Sequence, residues 1–192
     1  MKDTKTKLIN AGSELFLAHS YHGTGINDIL KACGVPQGSF YNYFQSKEDF
    51  ALEVVIHQMN NNADFVKLNL CNDQLAPIER IAAYLDSIGQ GLVDCHFAMG
   101  CPFGTLAQEM SNLSPKLREM LTKAFQIQVK HLEKCIHLGQ QQGDIKLVLN
   151  AGETAGFIMS SLQGAQIMAK TFLSDEPLHE VRRIVVDILL PA

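Results

Sequence analysis

The sequence predicts an all-α protein, a small N-terminal helical domain followed by a larger one, on three observations. Apolar residues recur at spacings of three and four, and no stretch alternates with period two for long. Pro, Gly and Asn punctuate the chain at intervals that leave room for about nine helices. At 192 residues with 46% apolar side chains, the chain has ample material for a core.

The first helix is expected over about Thr4 to His19, with Leu8, Ala11, Leu15 and Phe16 on one face, and Tyr21-His22-Gly23 ends it. A second begins near Thr24, whose hydroxyl is suited to cap the first amides, buries Ile26, Ile29 and Leu30, and stops at Gly34. Pro36 opens a very short third helix after the Gly-Val-Pro turn, which gives the helix-turn-helix arrangement. Phe40 and Phe44 face inward there, leaving Gln37, Gly38, Ser39, Tyr41, Asn42 and Tyr43 nearer the outside. Ser46-Lys47-Glu48-Asp49 has the form of a capping box and starts a long helix to about Leu70. The expected division is therefore 1–46 for a helix-turn-helix domain and 47–192 for the rest.

In the second part, Pro77 starts a helix through Leu92, and Cys95 to Gly104 reads as irregular. A short sixth helix spans Thr105 to Met110, and Ser114-Pro115 opens a long one to Gly143. Asn150 with Glu153 caps a helix to about Leu173, and a last helix after Pro177 carries Leu178, Val181, Ile184, Val185, Ile188 and Leu189.

Composition excludes several classes. No apolar run approaches the length that crosses a bilayer, and the N-terminus lacks a signal-peptide segment, so the expected location is cytoplasmic, with no membrane partner. Five cysteines without paired spacing read as reduced thiols. There is no glycine-rich phosphate loop, nucleophile elbow or carboxylate pair in a recognisable setting, so no catalytic residue and no cofactor are expected. His131 and Cys135 are four apart on one helix, which is half a metal site, and no metal is expected. Net charge is −4, and residues 1–50 carry five lysines against five acidic groups. A neutral segment is unusual for a strong phosphate binder, so the residues alone leave open an enzyme or a protein-interaction module on a helical scaffold.

Leu15-Phe16, Gly23-Thr24, Asp28-Ile29, Gly34-Val35, Gly38-Ser39-Phe40-Tyr41, Tyr43-Phe44 and Ser46-Lys47-Glu48 occur in an ordered set that resembles the TetR/AcrR family of one-component transcriptional regulators. The resemblance implies a DNA-binding regulator, more often a repressor, that acts on a double-stranded operator. It places Thr24, Tyr41, Tyr43 and Lys47 on phosphates, and Gln37, Gly38, Ser39 and Asn42 closest to the bases. Gln37 stands where many relatives carry lysine, which removes one phosphate charge and lowers the expected salt dependence.

One short recognition helix contacts too little DNA to be specific, so a homodimer on two half-sites is expected, joined through the last two long helices. Ser160, Ser161, Gly164 and Ala165 would permit close helix approach there. The stretch Gly100-Cys101-Pro102-Phe103-Gly104-Thr105-Leu106-Ala107 resembles a branch of the family in which some members sense electrophiles or oxidants. It makes Cys101 a candidate sensor thiol, with Lys170 and His96 as the cations that would activate it. The alternative is an apolar small-molecule pocket lined by Tyr84, Ile88, Phe97, Met99, Phe103, Phe125, Gln128 and Met159. The effector itself stays unknown at this level.

Overall fold

The structure, a computed structural model, describes the backbone of residues 2–192, and the side chains from Thr4 onward except that of Gln37. It contains α1 (Lys2–His19), α2 (Ile26–Cys33), a 3-10 helix (Gln37–Asn42), α3 (Lys47–Leu70) and α4 (Pro77–Asp94). Then follow α5 (Pro102–Met110), α6 (Pro115–Gln142), α7 (Ala151–Phe172) and α8 (Glu176–Arg183), which passes into a π-helical turn over Ile184–Leu189. Among the described residues the only strand-like pairing is one isolated bridge between Ile145 and Pro191.

The chain divides into two compact units, residues 1–61 with 101–124, and residues 62–100 with 125–192. The first is thus larger than the 1–46 segment expected to bind DNA, because it takes in the start of α3, all of α5 and the start of α6. Its core is aromatic: the rings of Phe16, Phe40, Phe44 and Phe50 pack with centroids from 4.8 to 5.9 Å apart. Gly12 admits this cluster, since a Cβ there would lie 2.2 Å from Phe50 Cζ. Phe103, Leu106, Leu117 and Leu121 are buried in the same unit. The second unit is built on Tyr84, Leu132, Ile136, Ile158, Leu162 and their neighbours.

Most helix limits follow the local signals. Gly34 takes a left-handed φ of 66° after α2, a conformation that glycine adopts without steric cost. The Ser46 hydroxyl accepts from the Asp49 N–H at 3.0 Å, Asn150 Oδ1 accepts from the Glu153 N–H at 3.0 Å, and Pro77 occupies the first turn of α4.

Four expectations are corrected. Helix α2 begins at Ile26, with the Asp28 carboxylate accepting from the Gly25 N–H at 2.9 Å, and Thr24 does not cap it. The Thr24 hydroxyl instead donates to the carbonyls of Leu15, in the last turns of α1, and of Ser20, just beyond its end. The third helix is 3-10, with Pro36 just before it; Ser39 N–H donates to Pro36 O and Tyr43 N–H to Phe40 O. Positions three apart eclipse in such a helix, so Gly38 and Tyr41 share the exposed side while buried Phe40 aligns with half-buried Tyr43.

The short helix expected from Thr105 starts at Pro102, because Cys101 caps it: its thiol accepts from the Gly104 N–H at 3.4 Å. Finally, the last helix widens into a π turn after Arg183. The Leu190 N–H reaches back to Val185 O, which leaves Leu190 fully buried with its carbonyl on the Lys146 N–H.

Candidate nucleic-acid interface and effector region

The outward side of the 3-10 helix presents Gly38, Tyr41 and Asn42, with Ser39 and Tyr43 half-buried beside them. Tyr41 is 65% exposed, and its ring stands edge-on to the buried Phe40 at 5.5 Å, so a rigid core residue fixes an exposed phenol. A Cβ at Gly38 would meet nothing within 4 Å. The space over its Cα is therefore open to a close approach from outside. The side chain of Gln37 lies outside the described residues.

Thr24 and Lys47 sit differently from the phosphate-contacting positions expected of them. Thr24 is buried, and its hydroxyl proton is committed to the carbonyls described above. The Lys47 ammonium donates to the Tyr21 carbonyl and stands 4.2 Å from the centre of the Tyr21 ring, a cation–π contact. Burial pushes the Lys47 pKa down, partly offset by the carboxylates of Glu109 and Asp28. Lys5 is likewise engaged, ion-paired to Glu53 at 3.1 Å and 5.7 Å over the Phe44 ring. Two of the five lysines in residues 1–50 thus stabilise the unit from within.

The effector candidates divide between the units. Cys101 and Phe103 belong to the first, Phe103 buried and Cys101 half-buried at the start of α5. Tyr84, Phe97, Phe125, Ile88 and Met159 belong to the apolar core of the second, with the Tyr84 hydroxyl donating to Gln128 Oε1 at 3.1 Å. Met99 and Lys170 are exposed, and His96 lies with them in the second unit.

A cleft of about 220 Å³ in the second unit escaped the sequence reading. Leu85, Gly89, Val93 and Leu178 line it, and its polar groups pair with one another: Arg182 with Asp86 at 3.3 Å and His179 with Asp175 at 3.0 Å. The spacing of Asp175, His179 and Arg182 along one helical face was the signal available for it.

His131 and Cys135 form no half-site. His131 Nδ1 lies 2.8 Å from Ile127 O, while the Cys135 thiol donates to Pro77 O at 3.3 Å. Burial pushes that thiol up to about 11, against the opposing charge of Arg80. Among the described residues no group of three potential ligands could hold a metal, and no helix is long and apolar enough to cross a membrane.

Residues 8–54 match the bacterial regulatory proteins of the tetR family, and residues 77–185 match the tetracyclin repressor-like C-terminal domain. The chain belongs to the TetR family. It is 33% identical over 185 residues to the HTH-type transcriptional repressor DhaR of Mycobacterium sp. (strain GP1), covering 96% of this chain and 91% of that protein. It is 30% identical over 176 residues to the transcriptional regulator AcuR of Cereibacter sphaeroides, covering 92% of this chain and 80% of that one.

Among solved structures, the regulatory protein TetR from Rhodobacter sphaeroides matches with a TM-score of 0.90 at 28% identity, over 95% of this chain and 96% of the other. The reduced form of E. coli NemR matches with a TM-score of 0.86 at 26% identity, over 98% and 97%. TetR-family proteins are DNA-binding transcriptional regulators that respond to effectors, bind operator DNA and are typically dimers. This chain is accordingly a regulator and not an enzyme.

Proposed function

We propose that this TetR-family regulator is a homodimeric repressor that reads its operator with the 3-10 helix and leaves it when the segment from Cys101 to Met110 is disturbed. The observation that carries the DNA-reading part is the outward side of that helix. Tyr41 and Asn42 supply a hydroxyl and an amide, and Gly38 supplies a bare backbone that nothing within the chain requires. Tyr41, Tyr43 and backbone amides bind phosphates, while Gln37, Gly38, Ser39 and Asn42 face the bases. Lys47, already bonded to Tyr21, assists through its remaining ammonium protons, and Thr24 contributes by fixing the turn before α2.

Selection of bound duplexes from a random pool tests this reading. A defined pair of half-sites is expected, with Gly38→Ala folding normally but binding the recovered site roughly tenfold less well, equivalent to about 1.4 kcal/mol. Recovery of no sequence, or an undiminished Gly38→Ala, counts against it.

The thiol reading of the effector gains from the cap geometry. Cys101 Sγ already accepts an amide proton at the start of α5, and unpaired amides of a first helical turn favour an anion such as thiolate. Modification there removes the cap and moves α5. Alkylation with N-ethylmaleimide is expected to weaken operator binding in the wild type and not in Cys101→Ser. The buried, proton-holding Cys135 stays unmodified throughout. Equal loss in both proteins would place the control on another thiol, and unchanged wild-type affinity would place it in a small-molecule pocket in the second unit, built on Tyr84, Phe97 and Phe125.

A further inference from the structure

The loop between α1 and α2 is held from outside its own sequence neighbourhood. Glu109, near the end of α5, places Oε2 at 2.8 Å from the Tyr21 N and 3.1 Å from the His22 N, accepting both amide protons. From the other side Lys47 donates to the Tyr21 carbonyl, and Thr24 donates to the Ser20 carbonyl at 2.8 Å. The loop has little slack: Ser20 sits at a left-handed φ of 63°, and a Cβ at Gly23 would lie 2.1 Å from His19 O.

A second tie comes from the same stretch of chain. The buried Ser114 hydroxyl is bonded to Glu48 in the first turn of α3, and it accepts the Leu117 N–H at 3.1 Å. Residues 101–124 therefore grip the helix-turn-helix at both ends, at Tyr21-His22 before α2 and at Glu48 after the 3-10 helix.

We propose that Glu109 is a positioning residue for DNA reading: its carboxylate fastens the loop before α2 to α5, and so transmits the position of α5 to the 3-10 helix. Two amide protons on one carboxylate oxygen make a charge-assisted anchor, stronger than neutral bonds and directional. A displacement at the Cys101 end of α5 is then carried rigidly along this short helix to Glu109 and on to the loop. The inference rests on the repressor reading for its consequence at DNA, and on no particular effector.

The electrostatics agree with this assignment. Burial alone would raise the Glu109 carboxyl pKa, but hydrogen bonds from Ser20, His22 and Tyr21 and the nearby His22 ring hold it below the ordinary glutamate range. The charged, bond-accepting form thus persists at neutral pH, and the anchor weakens only as pH falls through that lowered value.

The test uses full-length Glu109→Ala and Glu109→Gln with sites recovered by selection. In Glu109→Ala, amide exchange at Tyr21 and His22 is expected to quicken at least about tenfold. The penalty for inserting one base pair between half-sites is expected to fall from roughly tenfold or more to under about threefold, with base preference inside each half-site unchanged. Glu109→Gln, which keeps one acceptor oxygen and the side-chain shape, should lie between wild type and Glu109→Ala in both readouts. Unchanged exchange overturns the proposal. So does a uniform loss of affinity with the spacing penalty intact, which would mark a merely structural residue, and so does a wild type indifferent to spacing. A wild type that selects no DNA defeats the repressor reading, while exchange at Tyr21 and His22 still decides whether the anchor exists.

Discussion

Replacing Phe50 by alanine is expected to destabilise the N-terminal unit by about 3–5 kcal/mol and to abolish operator binding at temperatures where the wild type is folded. Phe50 is fully buried, and its ring lies 4.8 Å from that of Phe44, 5.2 Å from Phe40 and 5.9 Å from Phe16. It therefore joins α1, the 3-10 helix and α3 at one point. The 3-10 helix has six residues and too few internal bonds to hold itself, so its shape depends on Phe40 keeping this contact. Gly12 faces the same ring without a side chain, which leaves nothing to fill the hole. Urea unfolding monitored by circular dichroism, with operator binding by fluorescence anisotropy, measures both effects. A stability change below about 1 kcal/mol would mean that the cluster relaxes and that the head is held by other contacts.

The second large effect is expected at Gly164. Along α7, Phe157, Gly164, Met168 and Phe172 follow one another at steps of seven, four and four, so they share a face, and the large ones are 54%, 46% and 60% exposed. In the π turn after α8, Ile184 and Ile188 are also exposed, 43% and 55%. Large apolar groups flanking a small residue suit close approach of a second copy, and a Cβ on Gly164 would meet nothing within its own chain. Gly164→Glu should therefore leave the monomer folded, and the helix gains propensity from losing a glycine.

In the proposed dimer that substitution places two like charges in an apolar interface. Sedimentation is expected to show a monomer at micromolar concentration, and operator affinity is expected to fall by at least about 100-fold because only one half-site is engaged at a time. A dimer of unchanged affinity would move the interface off this face of α7.

Where a signal lay within a few residues, the sequence and the structure agree closely. Ser46, Pro77, Pro115 and Asn150 mark helix starts, because a cap accepts from an amide three residues on and a first-turn proline lacks only an N–H that would have had no helical partner. The membership of the core was also legible in Phe40, Phe44 and the apolar stripes of α4 and α6. At Thr24 the same reasoning misplaced a hydroxyl: two carbonyls at the end of α1 compete for it, and the sequence does not reveal which partner wins. Lys47 reads as a phosphate ligand in sequence and is drawn inward by the Tyr21 carbonyl and ring, 26 residues away.

The sequence by itself determined an all-helical chain with a helix-turn-helix near its start, since helix periodicity, caps and turn glycines are all local; that it is a regulator came from its resemblance to the TetR/AcrR family. Only the tertiary structure decided that residues 101–124 belong with that helix-turn-helix, and that Glu109 and Ser114 hold it at both ends. The physical reason is range. A carboxylate 87 and 88 residues from the amides it binds leaves no periodicity or motif behind, and its partner is chosen by where two separately specified helices come to rest.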